Sequence, residues 1–265
     1  MTTTAKSRPA STLSEEEFKR LADLIKDADT VELKHSVAET DHRKTISALE
    51  MDPLDAQIRQ VFFFDTPDLT LDSHGVVVRA RRIQGKGDDS VIKLRPVVPA
   101  ELPKSLRSSP EFGVEVDAMP GGFVCSGTLK RLLPESPVKA TIAGEAPIRK
   151  LFSKEQRALF EEHAPEGLTL DDLSVLGPIF VLKLKYVPPG FTRKLVAELW
   201  LYPDDRWIFE LSTKWAPTEA FQVAAEARAF LIGHGVDLGS EQQTKTRTAL
   251  EFFAKQLKAR NKARA

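Results

Sequence analysis

Seven segments of this 265-residue chain alternate between apolar and charged residues with a period of two. Successive side chains of a β-strand point to opposite faces, so each segment has one apolar face and one charged face. The segment TVELK (30–34) shows the pattern, because Glu32 and Lys34 share a face with Thr30 while Val31 and Leu33 share the other. The alternation therefore predicts a sheet with one surface for a core and one charged surface.

The same patterns predict the order of the elements along the chain. Helices are expected before the first strand, around 148–164, after the last strand and at about 243–262. Eight strands, mostly in hairpin order, are expected at 30–37, 60–66, 75–82, 90–96, 111–118, 178–187, 193–202 and 206–213. Such an arrangement indicates an α+β fold built on one antiparallel sheet. Residues 119–149 give no clear pattern.

Composition is typical of a globular protein that folds without disulfides. The chain has 42% hydrophobic and 29% charged residues, a formal net charge of zero and one cysteine, Cys125. We expect a disordered tail at 1–13 and a single domain at 14–265. The absence of disulfides, of a membrane-spanning run and of a signal-peptide core predicts a cytoplasmic protein. Neither a membrane nor a nucleic acid is an expected partner.

Basic side chains dominate the charged faces of several predicted strands, often two residues apart. Like charges at that spacing repel each other unless an anion lies between them. The surface is either an open, solvated face or the inner wall of a sheet that closes around water and a ligand, because buried unpaired ions are costly. The pairing of bases favours closure. The bases concerned are Lys34, Arg79, Arg81, Lys93, Arg95, and Lys183 or Lys185.

Carboxylates lie on separate strands of the same predicted surface, at Glu32, Glu115, Glu198 and Glu210. Guanidinium and ammonium groups suit phosphate, whereas carboxylates repel it. Carboxylates and phosphate are compatible when a hard divalent cation bridges them, and Mg²⁺ binds through a few carboxylates and substrate oxygens. The charged surface therefore indicates a polyphosphate ligand together with a divalent metal ion.

Several segments resemble the CYTH family, the triphosphate tunnel metalloenzymes, which includes class IV adenylate cyclases and thiamine triphosphatases. TVELK resembles the E-x-E-x-K of the family's first strand, and FFDTPDLTLDSHGVVVRARR and VIKLR resemble the segments that follow. VLKLK, VAELW, IFELS and QQTKTR resemble its C-terminal segments. The match spans residues 30–255. It implies a closed, eight-stranded antiparallel β-barrel, a tunnel with a charged lumen that is flanked by helices.

The resemblance also implies roles for individual residues. The implied phosphate ligands, together with Arg95 from the charge pattern, are Lys34, Arg79, Arg81, Lys93, Lys183 or Lys185, and Lys245 or Arg247. Glu32 and Glu210 are implied to hold Mg²⁺ or Mn²⁺, and we add Glu115 and Glu198 as metal ligands from their place on the charged surface. We expect Glu32, Lys34, Glu198 and Glu210 to form the catalytic group.

Two positions depart from the family pattern. Thr30 and Ser212 stand where the family has a second acid in each of two E-x-E pairs. Losing two negative charges is expected to lower metal affinity, although the hydroxyls remain able to orient water.

The combined prediction is metal-dependent binding and hydrolysis of a triphosphate compound inside a charged tunnel. The substrate is an inorganic triphosphate or an organic or nucleoside triphosphate, and the sequence does not choose between them. Two alternatives remain open: a non-catalytic module that binds polyphosphate or nucleotide, and a class IV-type adenylate cyclase that uses ATP.

Overall fold

The computed structural model describes residues 14–120, 122–239 and 244–264, so the predicted tail at 1–13 lies outside the described residues. Its strands form a closed barrel in the order β1-β5-β6-β4-β3-β2-β7-β8-β9, with β9 pairing back onto β1. The strands are β1 (Thr30–Val37), β2 (Gln57–Asp65), β3 (Val76–Ile83), β4 (Asp89–Leu94), β5 (Phe112–Met119), β6 (Gly122–Leu132), β7 (Ser174–Tyr186), β8 (Leu195–Leu201) and β9 (Trp207–Trp215). The sheet is therefore closed, as predicted, and all eight predicted strands are present.

The expectation of eight antiparallel strands is wrong in number and in direction. The ninth strand, β6, lies in the region that gave no clear pattern, and it pairs with both β4 and β5. Its sequence, GFVCSGTLKRL, lacks strict alternation because Cys125, Ser126 and Gly127 are small residues buried in succession. β1 and β5 run parallel. A closed ring of nine strands cannot alternate direction throughout, so at least one neighbouring pair must be parallel.

Helices surround the barrel in the described part of the chain. They are α1 (Glu15–Lys26), α2 (His42–Ala48), α3 (Thr70–Ser73), α4 (Lys104–Arg107), α5 (Pro137–Ile142), α6 (Lys154–His163), α7 (Ala220–Gly233) and α8 (Lys245–Arg264). The predicted capping boxes of Ser14 with Glu17 and of Ser153 with Gln156 are both formed. Among these helices, none combines the length and the apolar character needed to cross a bilayer.

Most of the hydrophobic core lies outside the barrel, between its outer surface and the helices. On β3, Val76, Val78 and Ala80 are buried in this core, whereas Arg79 and Arg81 point into the lumen. Helices α1, α5, α6 and α7 each contribute buried apolar side chains to the same core. Each fully buried valine or leucine adds about 1.5–3 kcal/mol to stability. This burial holds the charged face of every such strand toward the interior of the tunnel.

Candidate functional site

A cavity of about 460 Å³ lies inside the barrel. Its described lining has ten basic side chains: Lys34, Arg59, Arg79, Arg81, Lys93, Arg95, Lys183, Lys214, Lys245 and Arg247. Five acidic side chains share the lining: Glu32, Asp72, Glu115, Glu198 and Glu210. Two further acids, Asp89 and Asp117, are fully buried and pair with lining bases. The tunnel is therefore positive although the whole chain has no net charge.

The cavity brings together nearly all of the residues predicted from the sequence. Every proposed acid and every proposed phosphate ligand lines it except Lys185. Lys185 is exposed on β7, outside the cavity lining, so of the two alternatives the structure places Lys183 inside. Arg247 is also largely exposed, lies at the edge of the cavity and pairs with Glu251 of its own helix.

Arg79 is the lumen cation whose charge is least compensated. It forms no ion pair with any described residue, and its buried Nε has no hydrogen-bond partner. Burial and then repulsion from Arg81 lower the pKa of Arg79 below its usual range. Its neighbour differs, because Arg81 donates two hydrogen bonds, of 2.8 and 2.6 Å, to Asp89. A cation in a cavity lining that forms no ion pair with the described residues and has a buried, unpartnered Nε indicates a site for an anion.

An acidic triad lies toward β1 and β5 and consists of Glu32, Glu115 and Asp117. One carboxylate oxygen from each lies within 4.8 Å of the others, a spacing at which three carboxylates could hold one metal ion. The parallel register explains the cluster, since Thr30 lies beside Glu115 and Glu32 beside Asp117. By spacing and donor type the triad fits Mg²⁺ or Mn²⁺.

Basic groups already surround this triad. Lys34 Nζ lies 2.7 Å from Asp117 Oδ1 and 3.3 Å from Glu32 Oε2. Lys93 and Arg95 also pair with Asp117, and Lys214 pairs with Glu115. Burial opposes ionisation of Asp117, yet Lys34, Lys93 and Arg95 hold the pKa of this carboxyl well below its usual range. Burial lowers the pKa of Lys93 to about 8, against the attraction of Asp117.

The two hydroxyls that replace family acids both contact the acidic triad. Thr30 Oγ1 donates a long hydrogen bond of 3.4 Å to Glu115 Oε2. Burial opposes ionisation of Glu32, but the charges of Lys34 and Lys214 outweigh it and lower the pKa of that carboxyl. A hydrogen bond from the Ser212 hydroxyl to Glu32 adds a smaller contribution in the same direction. Thr30 and Ser212 therefore orient the carboxylates that remain.

The predicted metal ligands do not form one group. Glu198 and Glu210 are neighbours across β8 and β9, and Lys245 bridges them at 2.6 and 2.7 Å. Lys183 also pairs with Glu198. Burial opposes ionisation of Glu198, but Lys245 and Lys183 hold its pKa well below its usual range. Glu198 and Glu210 therefore form one group around Lys245, and Glu32 and Glu115 form another with Asp117.

Four functional candidates were missed in the sequence, namely Arg59, Asp89, Asp117 and Lys214. Asp117 lies on the charged face of β5, two residues after Glu115, so alternation alone could have included it. Lys214 extends the charged face of β9 in the same way, since it lies four residues after Glu210. Arg59 and Asp89 lie at the strand beginnings that the predicted boundaries excluded.

Helix α8 covers one end of the tunnel. Val61, Val181 and Trp200 line the cavity, and they pack in one apolar cluster with Ala249, Leu250 and Phe253 of α8. The Tyr202 hydroxyl donates a 2.9 Å hydrogen bond to the Lys245 carbonyl. The first residues of α8 thus line the cavity, while its middle packs against apolar side chains of the cavity wall.

Comparison with known structures supports this description of the fold. A Bacillus halodurans protein named a "putative adenylate cyclase" matches with a TM-score of 0.57 and 13% identity, over 83% of this chain and 98% of that one. The Hippeastrum protein HpAC1, named a "putative adenylyl cyclase" and described as having a dominant triphosphatase activity, matches with a TM-score of 0.60 and 16% identity, over 81% and 92%. The chain has the tunnel fold that its resemblance to the CYTH family implied.

No protein-family model matches the chain, and no curated protein matches it significantly.

Proposed function

We propose that this protein binds a triphosphate compound in its tunnel and hydrolyses it with the help of Mg²⁺ or Mn²⁺. The observation that carries the proposal is Arg79, a buried lumen cation without a counter-ion among the described residues. The surplus of bases over acids in the cavity lining supports the same conclusion. A polyphosphate supplies several negative charges along one line, which suits bases distributed on many strands of a tunnel.

The binding step uses the cations that face the cavity. Arg79 and Arg81 on β3, with Lys93 on β4, would hold phosphate oxygens from one side of the barrel. Lys183 and Lys245 would approach from the other side. Arginine makes bidentate contacts and lysine acts as a point charge, so the set suits several phosphate groups in sequence.

The chemical step is attack of a water on the terminal phosphorus. The bond from that phosphorus to the bridging oxygen breaks, and the diphosphate part leaves, as pyrophosphate from inorganic triphosphate or as the organic diphosphate from an organic or nucleoside triphosphate. The water's proton passes to a tunnel carboxylate and then to solvent. Arg79 and Lys93 would offset the charge that develops on the leaving group. Glu198 or Glu210 would orient the attacking water, because both carboxylates line the cavity and Lys245 fixes their positions.

The metal would be held by Glu32, Glu115 and Asp117, whose oxygens are close enough to share one ion. When bound, a divalent cation neutralises phosphate charge and polarises the phosphoryl group. Glu198 and Glu210, which the sequence also suggested as ligands, are bridged by Lys245 and are assigned to water positioning instead.

A second candidate function is triphosphate binding without turnover. It is favoured by the ion pairs on every member of the acidic triad and by the hydroxyls at Thr30 and Ser212, because both features weaken the hold on a metal. The cyclase alternative follows from the resemblance to the CYTH family, and similarly folded proteins carry the names "putative adenylate cyclase" and "putative adenylyl cyclase".

The proposal extends to the organisation and location of the chain. Residues 14–265 would form a single domain around this tunnel, and the protein would work in the cytoplasm, where its lone buried Cys125 remains a thiol.

The first experiment measures phosphate release from inorganic triphosphate, ATP and thiamine triphosphate with Mg²⁺ and with Mn²⁺. Calorimetric binding of each compound is measured in parallel. Release at about 1 s⁻¹ or faster would identify a triphosphatase and its preferred substrate. Tight binding without release would support the binding module, and cyclic AMP formed from ATP would support the cyclase. Absence of both binding and release would overturn the proposal.

Arg79→Met tests the observation on which the proposal rests. We expect triphosphate affinity to fall about 10- to 100-fold, since a hydrogen bond to a charged group contributes about 1.5–3 kcal/mol. We expect the variant to be at least as stable as the natural protein, because a buried unpaired guanidinium is replaced by an apolar side chain. Arg43→Met, on an exposed arginine of α2, is the matched control and should bind normally. Unchanged affinity in Arg79→Met would contradict the assignment.

A further inference from the structure

Lys214 lies on β9 directly opposite Glu32 of β1, and its ammonium pairs with Glu115 on the other side of β1. It therefore reaches across β1 to two of the three acids in the acidic triad. Its side chain is 48% exposed, whereas that of Lys34, which pairs with the same cluster, is 18% exposed. Lys34 is therefore enclosed in the tunnel. Lys214 lies where the cavity meets solvent, so its side chain is able to rotate away from the acidic triad.

The remaining cations near the acidic triad pair with its other two members, Glu32 and Asp117. Lys93 and Arg95 pair with Asp117, and Lys34 pairs with Asp117 and Glu32. Among the described residues, the ion-pair partner of Glu115 is Lys214. The other polar contact of Glu115 is the Thr30 hydroxyl, at 3.4 Å. Glu115 thus depends on Lys214 for its compensating charge.

A ligand for the acidic triad is indicated by more than its acidity. Asp117 is fully buried, and its Oδ1 accepts no hydrogen bond of good geometry even though Lys34 Nζ is 2.7 Å away. That oxygen therefore keeps acceptor capacity beyond its ion pair with Lys34. A small cation centred among the three carboxylates would use it, but the Lys214 ammonium occupies the neighbouring position beside Glu115.

We propose that Lys214 is a resident counter-ion of the acidic triad, which a divalent metal ion must displace before it binds Glu32 and Glu115. The inference deepens the proposed function and rests on its metal requirement. An ammonium and a divalent ion repel each other at this distance, so the two cations exclude each other. Lys214 would turn out to solvent when the metal enters, and it would return when the metal leaves.

The consequence is a metal site that is weak when the tunnel holds no triphosphate. A triphosphate would add negative charge beside the acidic triad and so favour the divalent ion over the single charge of the lysine. Metal and triphosphate should then bind together, each raising the affinity of the other by the same factor.

The test is Mn²⁺ binding by calorimetry and by electron paramagnetic resonance, in the absence of triphosphate. Lys214→Met removes the competing charge while keeping the length of the stem. We expect it to bind Mn²⁺ at least tenfold more tightly than the natural protein. Lys214→Arg keeps the charge and should retain weak binding. Lys139→Met, which removes one exposed lysine of α5, is the matched control and should leave Mn²⁺ affinity unchanged.

A double variant locates the effect. Lys214→Met with Glu115→Gln should lose the tightening, because the released carboxylate is no longer available as a ligand. Equal Mn²⁺ affinity in Lys214→Met and the natural protein, with both folded by circular dichroism, would overturn the inference. Tightening that persists in the double variant would also overturn it, since the gain would then arise elsewhere.

The result is separable from the proposed function. Triphosphate binding by the natural protein in excess chelator tests the anion site without any metal. If that binding fails while Lys214→Met still tightens Mn²⁺ binding, the proposed function is wrong and the role of Lys214 stands. The opposite outcome removes the role of Lys214 alone.

Discussion

Arg79 shows at the scale of one residue why a stable fold can keep a costly group. A buried guanidinium without a counter-ion opposes folding, and replacing it by an apolar side chain would remove that cost. Its neighbour Arg81 is satisfied by Asp89 in a bidentate pair. Both arginines lie on the same face of β3. They differ in the partners that the neighbouring strand β4 supplies, because Arg81 lies beside Asp89.

Thr30 offers a second test at the residue scale. Thr30→Glu adds a fourth carboxylate beside Glu115, so without metal we expect the thermal midpoint to fall by about 2–4 °C, equivalent to roughly 1 kcal/mol. Saturating Mn²⁺ should restore it and raise it further, because a cation bound only by the folded state stabilises that state. Thr30→Gln, which adds no charge, is the control. A midpoint of Thr30→Glu that is insensitive to Mn²⁺ would argue against a metal at the acidic triad.

At the scale of elements, the parallel pairing of β1 with β5 builds the acidic triad. The β5–β6 hairpin lies between β1 and β4, and this insertion places Glu115 and Asp117 beside Thr30 and Glu32. Carboxylates that the first strand lacks are thus supplied by a strand 85 residues later in the chain. The departure from the family pattern at Thr30 is compensated by this neighbouring element.

Helix α8 is the element whose contribution can be measured separately. Phe253→Ala removes a buried ring from the apolar cluster that joins α8 to the barrel, so we expect a loss of about 3–5 kcal/mol and faster proteolysis near the C-terminus. Because Lys245 would lose its fixed position between Glu198 and Glu210, triphosphate affinity should fall as well. Lys255→Ala on the exposed face of α8 should change stability by less than about 0.5 kcal/mol. Normal binding by Phe253→Ala would show that α8 is dispensable for the site.

At the scale of the whole molecule, a chain without net charge separates its charges in space. The barrel reverses the usual arrangement, with its core outside and its ions inside. This arrangement is possible because closure removes sheet edges and the helices cover the apolar outer surface. The lumen is positive while compensating acidic charge lies elsewhere, so anions are attracted to the cavity and not to the surface in general.

Two buried histidines make global stability depend on pH. His35 and His42 each donate Nε2–H to a backbone carbonyl, of Asp237 at 2.7 Å and of Val37 at 3.2 Å, and burial lowers the pKa of both. The unfolded chain takes up a proton near pH 6.5, before the folded one does, so stability falls as pH drops below that value. The slope is at most about 1.4 kcal/mol per pH unit for each histidine.

Urea denaturation between about pH 7 and pH 5.5 measures this effect. His42→Gln keeps a donor for the Val37 carbonyl but cannot titrate, so its stability should vary less with pH than that of the natural protein. An identical slope in His42→Gln would show that His42 does not contribute.

The part of the fold that follows from local sequence was predicted well. Alternation has a period of two and belongs to each strand alone, so it determined which face of β1, β3, β7 and β9 carries charge. It also predicted the phosphate-binding candidates, since a base on a charged face must point into a closed lumen. β6 was missed because its small residues carry no such alternation.

What the sequence by itself determined is therefore the set of charged side chains that share one surface, because that property depends only on neighbours along the strand. The tertiary structure alone decided which of these charges meet. Asp117 joins Glu32 through the pairing of β1 with β5, and Lys245 bridges Glu198 and Glu210 from a distant helix. Electrostatic interaction depends on distance in space, so only the closed barrel distinguishes Arg79, which forms no ion pair with the described residues, from lumen bases such as Arg81 that pair with an acid.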